Sequence, residues 1–514
     1  MRLLLGLAGA LVVGCSGPAG GTVSLVLDIP NATLDPKGYS SVEVRLHHAS
    51  GDTEINVAVD SSGQFDLGEI DAKQGVMIEA ALRTDSGAAV GYGRAAAPAD
   101  LEKGAQIVIP VRRPIIYFAG LVNVDVDGNP NTNDLKWSRA QPTFSDLAAG
   151  TFLDGTTTLS NNAVMTVAAG PNLYIIDQMP MDPTGALTGM PTVKAVSTGD
   201  HSIMATVPAT MTGGVLDAAG SDDGKLLLVG TTTQLFLINT EKMMAKPLAD
   251  GSFARVAIVT AADGAITALA IKNRSATGAC TAELLWVTAN ADDTNQVMSL
   301  GTSGYTDVAG DIGRGFYVDN CKGGELGEAT AGGALMIRGG LGKPAALAVS
   351  NGRTFIGVEK PGSPAGSQLI STTLNSGDAP RTLYDEPGRQ VVEATMYPGV
   401  QRSLAASSIT FTGLEVGAGG DYVALTTTAK YAGNAIPDAN FPKMEIDTQE
   451  LRVFDASTGA AVQRYRSWCD GILFIASIYD IPDWGCSTSP GQTAPTNPIF
   501  EHQISSLTFQ FGKK

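Results

Sequence analysis

The sequence predicts an all-β chain, with an N-terminal β-sandwich followed by a six- or seven-bladed β-propeller, over its 514 residues. Three observations predict it. Residues 22–113 carry short runs in which apolar and polar side chains alternate, the period-two pattern of half-buried strands. Residues 114–514 repeat an imperfect unit of a small-residue strand, a turn and a bulkier strand. Gly numbers 61 and charged residues make up only 17%, a mix suited to short strands joined by tight turns.

The first element is residues 1–14. Arg2 precedes an apolar run over 3–13, which ends in Val12-Val13-Gly14 before Cys15. The run is shorter than the roughly 20 residues a bilayer span needs. It has the length of a signal-peptide core. The order of basic start, apolar run and Val12-Val13-Gly14-Cys15 resembles the lipobox of bacterial lipoprotein signal peptides. That resemblance implies cleavage before Cys15, a diacylglycerol on its thiol and residues 15–21 as a lipidated linker. Ser16, where inner-membrane retention typically has Asp, implies the outer membrane. Acyl chains bind by burying CH2 groups at about 0.8 kcal/mol each, so two or three chains hold firmly. A cleaved secretory signal without lipid is the alternative.

Residues 22–113 read as strands at 22–29, 41–47, 55–59, 64–67, 76–82, 88–93 and 106–111. In the second, Val42, Val44 and Leu46 alternate with Glu43, Arg45 and His47. Ser61-Ser62-Gly63 and Asp85-Ser86-Gly87 supply hairpin turns. About seven strands in some ninety residues fit an antiparallel sandwich. The stretch resembles the immunoglobulin-like or transthyretin-like modules of bacterial lipoproteins, which implies a spacer or adhesive role.

Arg112-Arg113-Pro114 marks the boundary. Beyond it, runs beginning at Val164, Val215, Ile266, Ala345 and Ile409 are rich in Ala, Gly and Thr, and each is followed by a bulkier strand. Inner strands of propeller blades are small-residued because they crowd at the axis. The hairpin from Leu451 to Tyr465, with Asp455 and Gly459 shaping its turn, resembles the third and fourth strands of quinoprotein-like and WD-type propeller blades. The stretches 271–344 and 425–504 are long enough to hold a further blade. Residues 504–511 read as an inner strand with nothing after it, and 114–119 as a second strand with nothing before it. The two complete one blade, which closes the ring.

Setting Cys15 aside leaves Cys280, Cys321, Cys469 and Cys486, an even number in an oxidising compartment. The most local pairing is Cys280–Cys321 with Cys469–Cys486, one of three possible pairings. The richest oxygen-ligand cluster is Asp125, Asp127, Asn129, Asn131 and Asp134, a candidate calcium loop. The same residues also suit a plain Asx-rich turn. Ser221-Asp222-Asp223-Gly224 reads as turn chemistry, and Asp292-Asp293, Asp480 and Asp483 as acidic loops. No catalytic residues are assigned: the histidines His47, His48, His201 and His502 are scattered, and no G-x-S-x-G elbow or phosphate loop occurs.

The net charge of -17 argues against nucleic acid, whose binding needs clustered Lys and Arg. The expected function is a membrane-anchored exported lipoprotein that serves as a binding or scaffold module of the cell envelope, with a protein or polysaccharide partner. Outer-membrane assembly machines include a propeller lipoprotein of similar architecture. The alternative is a propeller enzyme of lactonase, lyase or glycosidase type, which requires acidic or histidine side chains converging at one mouth of the channel.

Overall fold

The computed structural model describes residues 11–12, 24–29, 36–48, 51–59, 75–95, 98–101, 106–125, 135–139, 143–147, 151–153, 159–160, 162–178, 189–198, 200–207, 210–260, 266–274, 280–289, 296–311, 313–373, 379–394, 401–433, 444–470 and 502–511. No helix among them is long and apolar enough to cross a membrane.

In the N-terminal region the strands Ser24–Asp28, Ser41–His48, Gly51–Ala58, Met77–Arg83, Ala89–Arg94 and Gln106–Arg112 join in one hydrogen-bonded path. Ser24–Asp28 runs parallel to Gln106–Arg112, and the other neighbours are antiparallel. Gln106–Arg112 meets Ala89–Arg94 only at Tyr92–Arg112 and Gly93–Val111, so the path is thin there. Leu25 and Leu27 from one end share a buried core with Val42, Val44 and Leu46 from the other. The alternation in Ser41–His48 is present, but its polar side is buried as well: Glu43 is 5% and His47 6% exposed. The expected strand at 64–67 lies outside the described residues.

The second region builds sheets in chain order. Five four-stranded antiparallel meanders occupy 163–207, 215–250, 253–303, 305–339 and 343–386. A further meander consists of Gln401–Gly417, Tyr422–Gly433, Met444–Asp455 and Ala461–Asp470, with Gln390–Ala394 paired to the start of its first strand. The remaining sheet unites the two ends of the region. His502–Phe509 pairs antiparallel with Ile115–Asp125, which pairs onward with Thr143–Asp146 and Leu135–Arg139. First strands of successive sheets touch one another, and His502–Phe509 touches both Gln401–Gly417 and Ala163–Ala169. The ring closes, and the region is a β-propeller with its first strands around the axis.

One strand assignment is corrected. The Ala-rich run at Ile266 is the second strand of its sheet, Ile266–Lys272, and Phe253–Thr260 is the first. Ala268, Leu269 and Ala270 are fully buried in the middle of that sheet, where packing demands small side chains as it does at the axis. The hairpin at Asp455 matches the expectation: Asp455 Oδ1 accepts from the N–H groups of Ser457 and Thr458 at 2.9 and 2.7 Å, and Gly459 takes φ of 75°.

The N-terminal region sits on one end of the ring, over the turns that follow the first strands. Arg83 Nη2 donates to both carboxylate oxygens of Asp421 at 2.9 and 3.2 Å, and Arg45 Nη1 to Gly419 O at 2.7 Å. Arg94 lies 2.6 Å from Asp222, and Tyr92 packs edge-on against Phe511. These contacts explain the buried polar face of Ser41–His48. Glu43 accepts from Arg83 at 2.5 Å, and His47 lies between Asp52 at 3.1 Å and Glu79 at 3.2 Å. Burial opposes the charged imidazole, but Glu79 and Asp52 outweigh it and raise the His47 pKa.

Candidate functional site: the axial channel

Each first strand of the ring carries a register shift, near its start in all but Gln401–Gly417, where it falls at Phe411/Gly413, and such a β-bulge re-aims the next side chain. The residues just past the shift are Met165, Asp217, Arg255, Asp307, Ala346, Gly413 and Ser506, and all of them line one axial cavity. That cavity measures about 60 Å3. One water needs roughly 10–15 Å3 by this measure, so it holds only a few.

The polar side chains of this layer stitch sheets together. First strands of neighbouring sheets do not pair with each other, so N–H groups facing the next sheet need acceptors. Asp217 Oδ2 accepts from Val256 N–H at 2.8 Å. Asp307 Oδ2 accepts from Leu347 N–H at 3.0 Å. Ser506 Oγ accepts from Thr166 N–H at 3.2 Å, so the same bond occurs at three junctions. Deeper in the channel, Glu415 Oε2 accepts from Phe509 N–H at 2.9 Å and Thr508 Oγ1 from Ala168 N–H at 3.3 Å. Arg255 Nε stands 3.4 Å from Asp307 Oδ1. A second cavity of about 30 Å3, where Ala168, Ala219 and Gly220 meet the polar side chains of Asp222, Glu415 and Thr508, lies toward the N-terminal region. Asp217, Asp307 and Glu415 are thus occupied in joining sheets, and the cavity they line, about 60 Å3, leaves no room for a sugar ring among the described residues.

The sequence-derived candidates fall elsewhere. Cys280 and Cys321 are disulfide-bonded, with Cα atoms 6.2 Å apart. Cys280 precedes the third strand of one sheet, Ala282–Ala289, and Cys321 follows the second strand of the next, Arg314–Asp319. The bridge therefore links loops of adjacent sheets at the end where first strands begin. Cys469 lies on the strand Ala461–Asp470, and Asp125 ends the strand Ile115–Asp125. Cys15, Cys486, Asp127, Asn129, Asn131 and Asp134 lie outside the described residues, as do Asp292, Asp293, Asp480 and Asp483. Among the described residues no group of three or more His, Cys, Asp or Glu is placed to hold a metal. Asp223 performs the expected turn chemistry, accepting from Ser221 Oγ at 2.6 Å and Lys225 N–H at 3.0 Å. Its neighbour Asp222 does more, as the partner of Arg94.

Sequence reasoning missed Asp217, Arg255, Asp307 and Glu415. A signal was present for two of them: Asp217 and Arg255 are lone charges within otherwise apolar or small-residue first strands, Val215–Gly220 and Phe253–Thr260, whereas the strands of Asp307 and Glu415 each carry a second charge. A charge there faces an axis, not solvent.

No family model and no curated protein matches the chain. Solved structures do. The β-propeller domain of the Trilobed protease from Pyrococcus furiosus is 12% identical at a TM-score of 0.34, over 64% of this chain and 93% of that one. Kuenenia stuttgartiensis hydrazine synthase is 11% identical at a TM-score of 0.34, over 55% of this chain and 80% of that one. A eukaryotic initiation factor is 12% identical at a TM-score of 0.30, over 69% and 96%. Similarity this low says nothing of what the chain does.

Proposed function

We propose that the chain is an exported lipoprotein, anchored through Cys15 to the bacterial outer membrane, that acts as a binding or scaffold module of the cell envelope. Support for the anchor is the residue order from Arg2 through Val12-Val13-Gly14-Cys15. Support for binding over catalysis is the channel. Its carboxylates are bonded to backbone N–H groups, and its cavities are water-sized. An enzyme of the lactonase, lyase or glycosidase type needs free, convergent acid and base groups beside a substrate-sized space.

Within this reading the propeller has seven blades, each counted by one bulged first strand, and residues 22–113 form a sandwich folded about one core. Cys469 pairs with Cys486, and calcium binds at Asp125, Asp127, Asn129, Asn131 and Asp134. Cell fractionation tests the anchor. Cys15→Ala moves the protein from the membrane fraction to the soluble periplasmic fraction, and the wild type carries an acyl adduct by mass spectrometry. Unchanged partitioning with no adduct would sink the proposal.

A further inference from the structure

The junction between the N-terminal region and the ring rests on two charge clusters, and their balance differs. In the first, Arg45 and Arg83 answer Glu43 and Asp421, two cations for two carboxylates. In the second, Arg94 is shared by Glu79 of its own region and Asp222 of the ring. Its Nε donates to Glu79 Oε1 at 2.7 Å, and its Nη1 lies 2.6 Å from Asp222 Oδ1. Among the described residues one arginine thus serves two shielded carboxylates. Keeping a charge out of water without a match is costly.

His47 is placed to supply that match. It is buried on Ser41–His48, opposite Asp52 on one neighbouring strand and Met77 on the other, with Glu79 two residues beyond Met77 on the same face. Nδ1 lies 3.1 Å from Asp52 Oδ1, and Nε2 lies 3.2 Å from Glu79 Oε2. The Nε2 contact is one of charge, not an aligned hydrogen bond. A neutral imidazole has one N–H and would turn a lone pair on one of these carboxylates, so only the imidazolium suits both. Asp52 is exposed and water screens its share, which leaves Glu79 as the main holder of the proton. The other polar groups nearby are engaged elsewhere. Arg45 lies against Glu43 and 3.9 Å from Glu54, and His48 answers Thr53 Oγ1 at 3.4 Å. The Tyr92 hydroxyl, 3.5 Å from Arg94, is pushed well above its ordinary pKa by burial and stays neutral.

We propose that His47 is a proton-operated latch: its imidazolium takes Glu79, Arg94 is left to hold Asp222, and the N-terminal region stays docked on the ring until that proton leaves. Loss of the proton to solvent sets Glu79 and Asp222 in competition for Arg94, and undocking hydrates both. Burial works against the charged ring, but Glu79 and Asp52 overcome it and raise the His47 pKa above the ordinary 6.5. A cation whose pKa is raised by docking contributes fully below the undocked value, and the contribution is lost as pH rises through the docked one. In that window the docking constant falls by up to about tenfold per pH unit. Release bares the end of the ring that carries Asp222, Asp421 and Phe511, with the second cavity beneath it. The latch goes beyond the binding-module reading and does not depend on the Cys15 anchor.

The test uses the full chain purified in detergent, from about pH 6 to about pH 9. Imidazole-labelled protein, with four histidines in all, reports the His47 titration by magnetic resonance. Hydrogen-exchange protection factors, which correct for the intrinsic pH dependence of exchange, report docking at Ala89–Arg94 and at residues 418–422. His47 is expected to titrate above 6.5, and junction protection to fall through the same pH while Lys343–Ser350 stays protected. His47→Gln, uncharged throughout, is expected to show low junction protection and no transition in this range. Glu79→Gln removes the surplus carboxylate, so it is expected to stay docked across the range without a transition. A change on the acid side from Asp421, whose pKa burial raises, remains in both variants. Constant junction protection while His47 titrates overturns the proposal, as does an unaltered transition in either variant. So does a fall at Lys343–Ser350 that matches the junction, which makes His47 a general stability residue.

Discussion

Glu450 shows how a single residue carries stability in this chain. It is 5% exposed and accepts from Arg452 at 2.6 and 3.0 Å and from Arg464 at 3.1 Å, with Arg389 at 3.9 Å. Burial alone would raise its pKa, but Arg389, Arg452 and Arg464 overcome that and hold it far below the ordinary 4.5. A depressed carboxylate contributes stability above its unfolded pKa and loses it as pH falls through the folded value. Glu450→Gln takes the shared carboxylate from two buried arginines, Arg389 and Arg452, and from the exposed Arg464, and breaking such a buried pair costs about 3–5 kcal/mol. Urea unfolding at neutral pH is expected to show that loss. The gap to wild type then narrows as pH drops below 4.5, because the wild type loses the same contribution. A gap independent of pH would mean that Glu450 is not charged in the fold. None of this was legible in the sequence. Alternation along Leu451–Tyr465 marks Arg452 and Arg464 as a solvent face, as it marks Glu43 and His47. Arg464 is indeed exposed, but a second layer of chain covers Arg452, Glu43 and His47, and period-two patterning cannot register such a layer.

Strand identity was legible at the level of elements, and strand rank was not. Small residues at Val164, Val215, Ala345 and Ile409 mark first strands, and the structure places them there. Ile266 misled because Ala268 and Ala270 are small for a different reason, burial in mid-sheet. Glycine at the crossing of two first strands is the more specific mark. A Cβ on Gly310 would run into the carbonyl of Ile258, and one on Gly220 into that of Ala168, the same position at two sheet junctions. Backbone cannot yield there as a flexible side chain can. Gly310→Ala is expected to cost about 1–3 kcal/mol, the usual range for overpacking. Gly332→Ala is the control: its Cβ would meet only Thr330 Oγ1, at 3.6 Å, so it should stay within about 0.5 kcal/mol of wild type. Equal costs at the two sites would show that first strands do not approach so closely.

Across the whole molecule, the ring depends on a strand from its far terminus. His502–Phe509 supplies the axial strand of the sheet built on Ile115–Asp125, and both neighbouring first strands rest against it. Its side chains bind in three directions. Phe509 is fully buried, Ile504 N–H donates to Gln449 Oε1 at 2.6 Å, and Ser505 Oγ donates to Ala119 O at 3.1 Å and Val164 O at 2.9 Å. This closure was legible, because two incomplete strand sets at opposite ends of a repeat array have one economical solution, and an open edge of unpaired backbone invites aggregation. The docking of the N-terminal region was not legible, since it runs through Arg83–Asp421 and Arg94–Asp222, pairs separated by hundreds and scores of residues with no pattern between them. Deleting residues 502–514 removes the strand, its stitching bonds and Phe511 from the docked face. The expected outcome is loss of a cooperative thermal transition, or aggregation, for the propeller. The 22–113 region, whose core lies on its own side chains, keeps its protection in hydrogen exchange. Deleting only 512–514 leaves melting unchanged. A chain cut before His502 that melts like the full-length protein would show that the ring holds without its last strand, and that the sheet on Ile115–Asp125 finds its axial partner elsewhere.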